Sequence, residues 1–103
     1  MNLYNTSTPA TGETFTPLLE HANVRIVRIV SSDQVEPVEY LQEEDEWVAL
    51  LEGEATLKVD GKPVHLSRGD TLFIPAHTPH TVIATRQGTV WLAVHIGTPP
   101  LSV

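Results

Sequence analysis

Four side chains in this sequence pair reactive chemistry with informative positions: Glu46, His77, His80 and His95. His77 and His80 stand three residues apart in IPAHTPHTV. On a helix that spacing would align two ligands, but Pro75 and Pro79 bracket His77 and make a helix implausible. The segment is predicted to be extended, with Pro79 stiffening the approach to His80. Two imidazoles on a stiff loop leading into a strand suit a metal half-site, although HxxH alone suits surface or structural histidines as well. His95 is the one polar side chain in VWLAVHI, and in a regular strand it shares a face with Trp91 and Ala93. It reads either as a ligand or as a buried neutral histidine bonded to a carbonyl. Glu46 is in phase with Val48 and Leu50, which points its carboxylate inward, where it needs a cation, a donor or a proton. The alternative is the last member of a solvated acidic stretch, Glu43, Glu44, Asp45, Glu46. His21 and His65 have no polar company in the sequence and are expected on the surface.

The elements that must position these residues read as strands. NVRIVRIVS, residues 23–31, is dominated by β-branched residues without helical spacing. Further short runs follow at Val38–Gln42, Glu46–Glu52, Glu54–Val59, Lys62–Leu66, Thr71–Ile74, His80–Ala84 and Val90–Ile96. Pro17–Ala22 is expected to make at most one helical turn. Asp60-Gly61 between TLKV and KPVHL is a two-residue hairpin signal. Arg68-Gly69-Asp70 reads as a turn opening a strand rather than an adhesion motif. Many short strands with Gly and Pro turns and no helical crossovers predict an all-β sandwich or barrel, and exclude an α/β fold. Residues 1–12, rich in Thr, Asn, Pro and Gly, are expected to form a flexible N-terminal arm, leaving 13–103 as one barrel domain.

Length and composition narrow the function classes. A chain of 103 residues has room for one domain. Six Lys and Arg against 13 Asp and Glu give a net charge of -7, which repels phosphate backbones and anionic membranes and argues against both as partners. No cysteine is present, so disulfides, thiolate ligands and a Cys nucleophile are excluded. The longest apolar run, Trp47–Leu51, is far below a membrane span, and the polar start lacks a secretory segment, which predicts a cytoplasmic protein. The strands around Val48 and Val94 are apolar on both faces. One face can fill a barrel while the other needs a cover, and a homodimer is the expected cover.

The stretch Tyr40–Ala84 resembles the cupin superfamily of small jelly-roll barrels. The first motif of that superfamily, G-x5-HxH-x3,4-E-x6-G, is met in its closing part by Glu46, WVALLE and Gly53. Tyr40 and Gln42 stand where its two histidines would be, and Gln34 where it starts with glycine. The second motif, G-x5-P-x-G-x2-H-x3-N, is met by Gly69, Pro75 and His80, with His77 replacing the inner glycine and Ala84 the final asparagine. The resemblance implies a cupin-type jelly-roll β-barrel and a divalent metal inside it, held through Glu46 and His80.

With two of the usual ligands absent, His95 and His77 offer imidazoles at new positions, and Gln42 offers a weaker oxygen. The expected metal set is therefore Glu46, His77, His80 and His95, for Zn, Fe(II), Mn or Ni. A small-molecule ligand is expected among Tyr40, Gln42, Val48, Leu50, Trp91 and Ala93. Whether the chain is an enzyme or a metal-free binding or sensor module stays open at this point. No nucleophile or acid/base pair stands out.

Overall fold

The computed structural model describes residues 1–98. Among these residues there are nine strands and no helix. They are β1 (Glu13–His21), β2 (Val24–Ser31), β3 (Glu39–Tyr40), β4 (Asp45–Glu52), β5 (Glu54–Val59), β6 (Lys62–Ser67), β7 (Thr71–Ile74), β8 (His80–Thr85) and β9 (Thr89–Ile96). One sheet runs β1-β2-β9-β4-β7 and the other β3-β8-β5-β6, with antiparallel neighbours throughout. The result is the all-β jelly roll expected from the sequence.

The core lies where the two sheets face each other. Val48 and Leu50 of β4 and Trp91 and Ala93 of β9 pack with Ala55 and Leu57 of β5 and Leu66 of β6, all buried. Burying one large apolar side chain of this kind is worth about 1.5–3 kcal/mol. The hairpin expected at Asp60-Gly61 is present, with φ of 50° and 78° at its two central residues. Positive φ at both is what the primed turns demand.

Pro17–Ala22 is not a helical turn. It lies almost wholly in β1, at the edge of the sheet, where a proline without an N–H is tolerated. The register slips between Pro17 and Leu19, a bulge that absorbs Leu18, and Ala22 turns the chain into β2 with φ of 52°. At the other end of the barrel, Gly53 (φ 90°) links β4 to β5 where a Cβ would stand 2.4 Å from Thr89 Oγ1 and 2.8 Å from its Cα.

The two apolar faces of β4 separate cleanly. Glu46, Val48 and Leu50 turn inward, while Trp47, Ala49 and Leu51 turn outward. On the outer face, Leu19, Ile26, Val94, Trp47 and Phe73 form one cross-strand row across all five strands. Leu19 (50% exposed), Phe73 (53%) and Trp47 (37%) are its most open members. Residues 1–12 lie over a different part of the sheet. The Arg28 guanidinium is buried beneath them, its Nη1 donating to the carbonyls of Asn2, Leu3 and Asn5, and the Tyr4 hydroxyl donates to the Leu51 carbonyl. No helix among the described residues is long and apolar enough to cross a membrane.

Candidate functional site

The strand register places three ionisable residues side by side: Arg25 on β2, His95 on β9 and Glu46 on β4 are direct cross-strand partners. All three line a cavity of about 360 Å3 between the sheets. His80, the first residue of β8, enters from the opposite sheet and brings Nε2 to 3.6 Å from Glu46 Oε1. Tyr40, its partner on β3, stacks on the imidazole with ring centroids 5.9 Å apart. Glu46, His80 and His95 are each buried to better than nine-tenths.

The tautomer of His80 is set locally, because its Nδ1 faces the Thr78 carbonyl at 3.0 Å and donates there. Nε2 is left to face the cavity. The Glu46 carboxylate beside it raises the imidazole's pKa above its ordinary value, opposed by burial and assisted by the Thr78 carbonyl.

The neighbouring groups are arranged less tightly. Glu44, in the loop before β4, accepts from Arg25 Nη2 at 2.9 Å. The same oxygen is 3.2 Å from His95 Nδ1, but poorly aligned, so that buried nitrogen has no hydrogen-bond partner. Gln42 Oε1 is likewise buried and unpartnered.

The expected residues divide accordingly. Tyr40, Gln42, Glu46, Val48, His80, Trp91 and His95 line the cavity. Leu50 and Ala93 are sealed in the core beneath it. His77 stands apart on an exposed turn, with φ of 62° and its backbone N–H donating to the Gln42 carbonyl. That left-handed backbone explains why glycine suits the position, and it turns the imidazole to solvent. His65, expected to have no polar company, is exposed but meets Thr56 Oγ1 at 3.2 Å and Glu54 at 3.7 Å. Arg25 and Glu13, which line the cavity, and Glu44, which meets Arg25 and His95, lie outside the residues expected from the sequence. Arg25 and Glu13 were legible only through strand phase, and Glu44 looked like part of a solvated acidic loop.

No group of three or more His, Asp and Glu side chains is arranged as a ready-made metal site among the described residues. The chemistry of the donors nevertheless suits a cation. Two donors that share a metal at about 2.1 Å stand about 3–4 Å apart. Glu46 Oε1 is 3.6 Å from His80 Nε2 and 4.0 Å from His95 Nδ1.

A jelly roll of two antiparallel sheets with a Glu/His-lined cavity between them defines a small single-domain barrel of the ligand-pocket class. The chain belongs to the cupin family, whose domain model matches residues 25–95. A protein from Ralstonia eutropha JMP134, provisionally named a mannose-6-phosphate isomerase, is 38% identical over 95% of this chain and 97% of its own, with a TM-score of 0.88. A cupin superfamily protein from Desulfitobacterium hafniense is 23% identical, covering 93% of this chain and 87% of its own, with a TM-score of 0.82. KdgF from Halomonas is 17% identical over 84% and 82% of the two chains, with a TM-score of 0.78. Below 25% identity these likenesses concern the fold. No curated protein matches the chain.

Proposed function

We propose that this cupin binds a small molecule in its cavity beside a divalent cation, Zn, Fe(II), Mn or Ni, held by Glu46, His80 and His95 with Gln42 as a weaker oxygen donor. The observation that carries this reading is the pair of buried polar atoms without partners, His95 Nδ1 and Gln42 Oε1, lining the same cavity as a buried carboxylate. Such atoms are costly when unsatisfied, and one cation satisfies them together. Bound there, the cation would polarise a ligand carbonyl or hydroxyl oxygen. The chain's own part is to keep His80 Nε2 facing inward through the Thr78 carbonyl, to stack Tyr40 over that ring, and to keep water from the apolar walls.

Adding each of the four metals to chelator-stripped protein tests the reading. A ligand at a hundredfold above its dissociation constant stabilises by about 2.7 kcal/mol, several degrees in melting temperature for a domain this small. If none of the four raises the melting point, the metal reading is lost and a metal-free binding module takes its place. One observation favours that second reading: the His80–Glu46 and Arg25–Glu44 pairs compensate the charges around Glu46 without a cation.

A phosphorylated sugar, the substrate class in the Ralstonia protein's name, does not carry over. Arg25 is the only Lys or Arg at the cavity among the described residues, and it is engaged by Glu44. The proposal includes a homodimer that covers the Leu19, Ile26, Val94, Trp47, Phe73 row, with light scattering as its check: a mass near 11.3 kDa would oppose it. It also includes a cytoplasmic setting, which cell fractionation checks.

A further inference from the structure

We propose that the mouth of the cavity, around Glu13, is a subsite for the ammonium group of a small organic amine whose apolar body lies against Phe15, Ile29 and Trp91. The inference rests on the cavity's taking a small molecule but not on a metal at Glu46.

The starting point is a hydrogen-bonded chain that fixes one carboxylate. Trp91 Nε1 donates to Ser31 Oγ at 2.9 Å, and Ser31 Oγ donates to Glu13 Oε2. An indole N–H can only donate, so the serine proton is free to go to Glu13 and the chain has a fixed direction. Ser31 is fully buried, and the backbone around it is pinned. Ser32 Oγ donates to the Gly12 carbonyl at 2.9 Å, and Thr85 Oγ1 donates to the Ser32 carbonyl at 2.6 Å. Glu13 therefore starts β1 in a defined orientation. Its second oxygen, Oε1, makes no hydrogen bond and Glu13 no ion pair among the described residues.

The surroundings decide what such a carboxylate recognises. Glu13 lines the main cavity and also an adjoining cleft of about 280 Å3, which shares Phe15 and Tyr40 with it and adds Glu36. Neither Lys nor Arg lines that cleft among the described residues. Along the strands, Phe15, Ile29 and Trp91 are the next inward row from Glu13 and Ser31, so a carboxylate is followed directly by apolar wall. A fixed acceptor selects a donor. Both an ammonium and a hydroxyl can donate to it, but only the ammonium adds the attraction of opposite net charges, and the chain's charge of -7 draws cations to the mouth.

The test uses three probes with one alkyl body, hexylammonium, 1-hexanol and hexanoate, titrated into the full chain with chelator present so that no metal contributes. The readout is the indole N–H resonance of Trp91, which the Ser31 bond ties to Glu13, with the half-exposed Trp47 indole as internal control. Hexylammonium is expected to shift the Trp91 signal saturably, hexanol to bind at least tenfold more weakly, and hexanoate not to bind. Glu13→Gln should remove the preference for hexylammonium over hexanol. Should that variant fail to fold, Ser31→Ala, which releases the carboxylate, should reduce the preference. Equal binding of hexanol or hexanoate, no saturable shift with any probe, or a preference retained in the variants would overturn the proposal. A negative metal titration would not.

Discussion

Glu46 and His95 face each other across the β4–β9 ladder, each more than nine-tenths buried, yet the His95 nitrogen nearest that carboxylate has no hydrogen-bond partner. The relationship is unfavourable as it stands, since a buried unsatisfied donor or acceptor costs about 1–3 kcal/mol.

Replacing His95 with leucine removes that cost. His95→Leu is expected to leave the chelator-treated protein as stable as the parent or up to about 1 kcal/mol more stable, because an apolar group of similar size replaces an unsatisfied polar one. The same variant should lose the rise in melting temperature on adding metal. Thermal unfolding with and without metal measures both, and a variant that still responds would remove His95 from the ligand set.

The metal-free protein should lose stability as pH rises above the ordinary histidine range. The folded pKa of His80 is raised above 6.5 by Glu46, so the folded state holds this proton more tightly than the unfolded state. That contribution is complete below the unfolded value and disappears as pH rises through the raised folded value. Urea unfolding of chelator-treated protein from pH 6 to 9 should show the decline, and His80→Gln should flatten it. A slope that is unchanged in the variant would assign the effect elsewhere.

Gly53 and Gly61 separate two costs that glycine avoids. Both have positive φ, but a Cβ at Gly61 meets nothing within 4 Å, whereas one at Gly53 would overlap the backbone of Thr89. Gly61→Ala is expected to cost about 1–2 kcal/mol, the conformational penalty alone. Gly53→Ala should cost at least about 3 kcal/mol, since overpacking adds to the same penalty. Denaturant midpoints of the two variants provide the comparison.

His77→Gly should change stability by less than about 1 kcal/mol, because glycine accepts the left-handed backbone without strain while giving up some chain entropy. Its metal response should match the parent's. A lost response would return His77 to the ligand set, against its exposed position.

Strand phase carried most of what the sequence revealed. His95 in register with Trp91, and Glu46 with Val48, could be placed on an inward face by alternation alone, a β-branched run marked β2, and apolarity on both faces marked β4 and β9. β1 was obscured because Pro17 and the bulge at Leu18 break its alternation, so its tail read as a turn. Glu13 was lost with it, and its role depends on Ser31 and Trp91, which are distant in sequence. The HxxH spacing was visible, but the outward turn of His77 depends on one backbone angle. Glu44 differs from its acidic neighbours through Arg25, nineteen positions away, and through His95, farther still.

β9 sits between β2 and β4, so the last of the described strands holds together the larger sheet. During synthesis the β1–β2 and β5–β6 hairpins can close early, since each joins neighbouring segments. The larger sheet cannot assemble until residues 89–96 have left the ribosome. Up to that moment β2 and β4 both expose unpaired edges and apolar faces, the condition in which nascent β-proteins associate wrongly. The larger sheet is thus dominated by distant pairings, which places the barrel among slow folders. A chain without residues 89–96 would keep the β3-β8-β5-β6 sheet but leave the β1–β2 and β4–β7 pairs as separate ribbons with sticky edges.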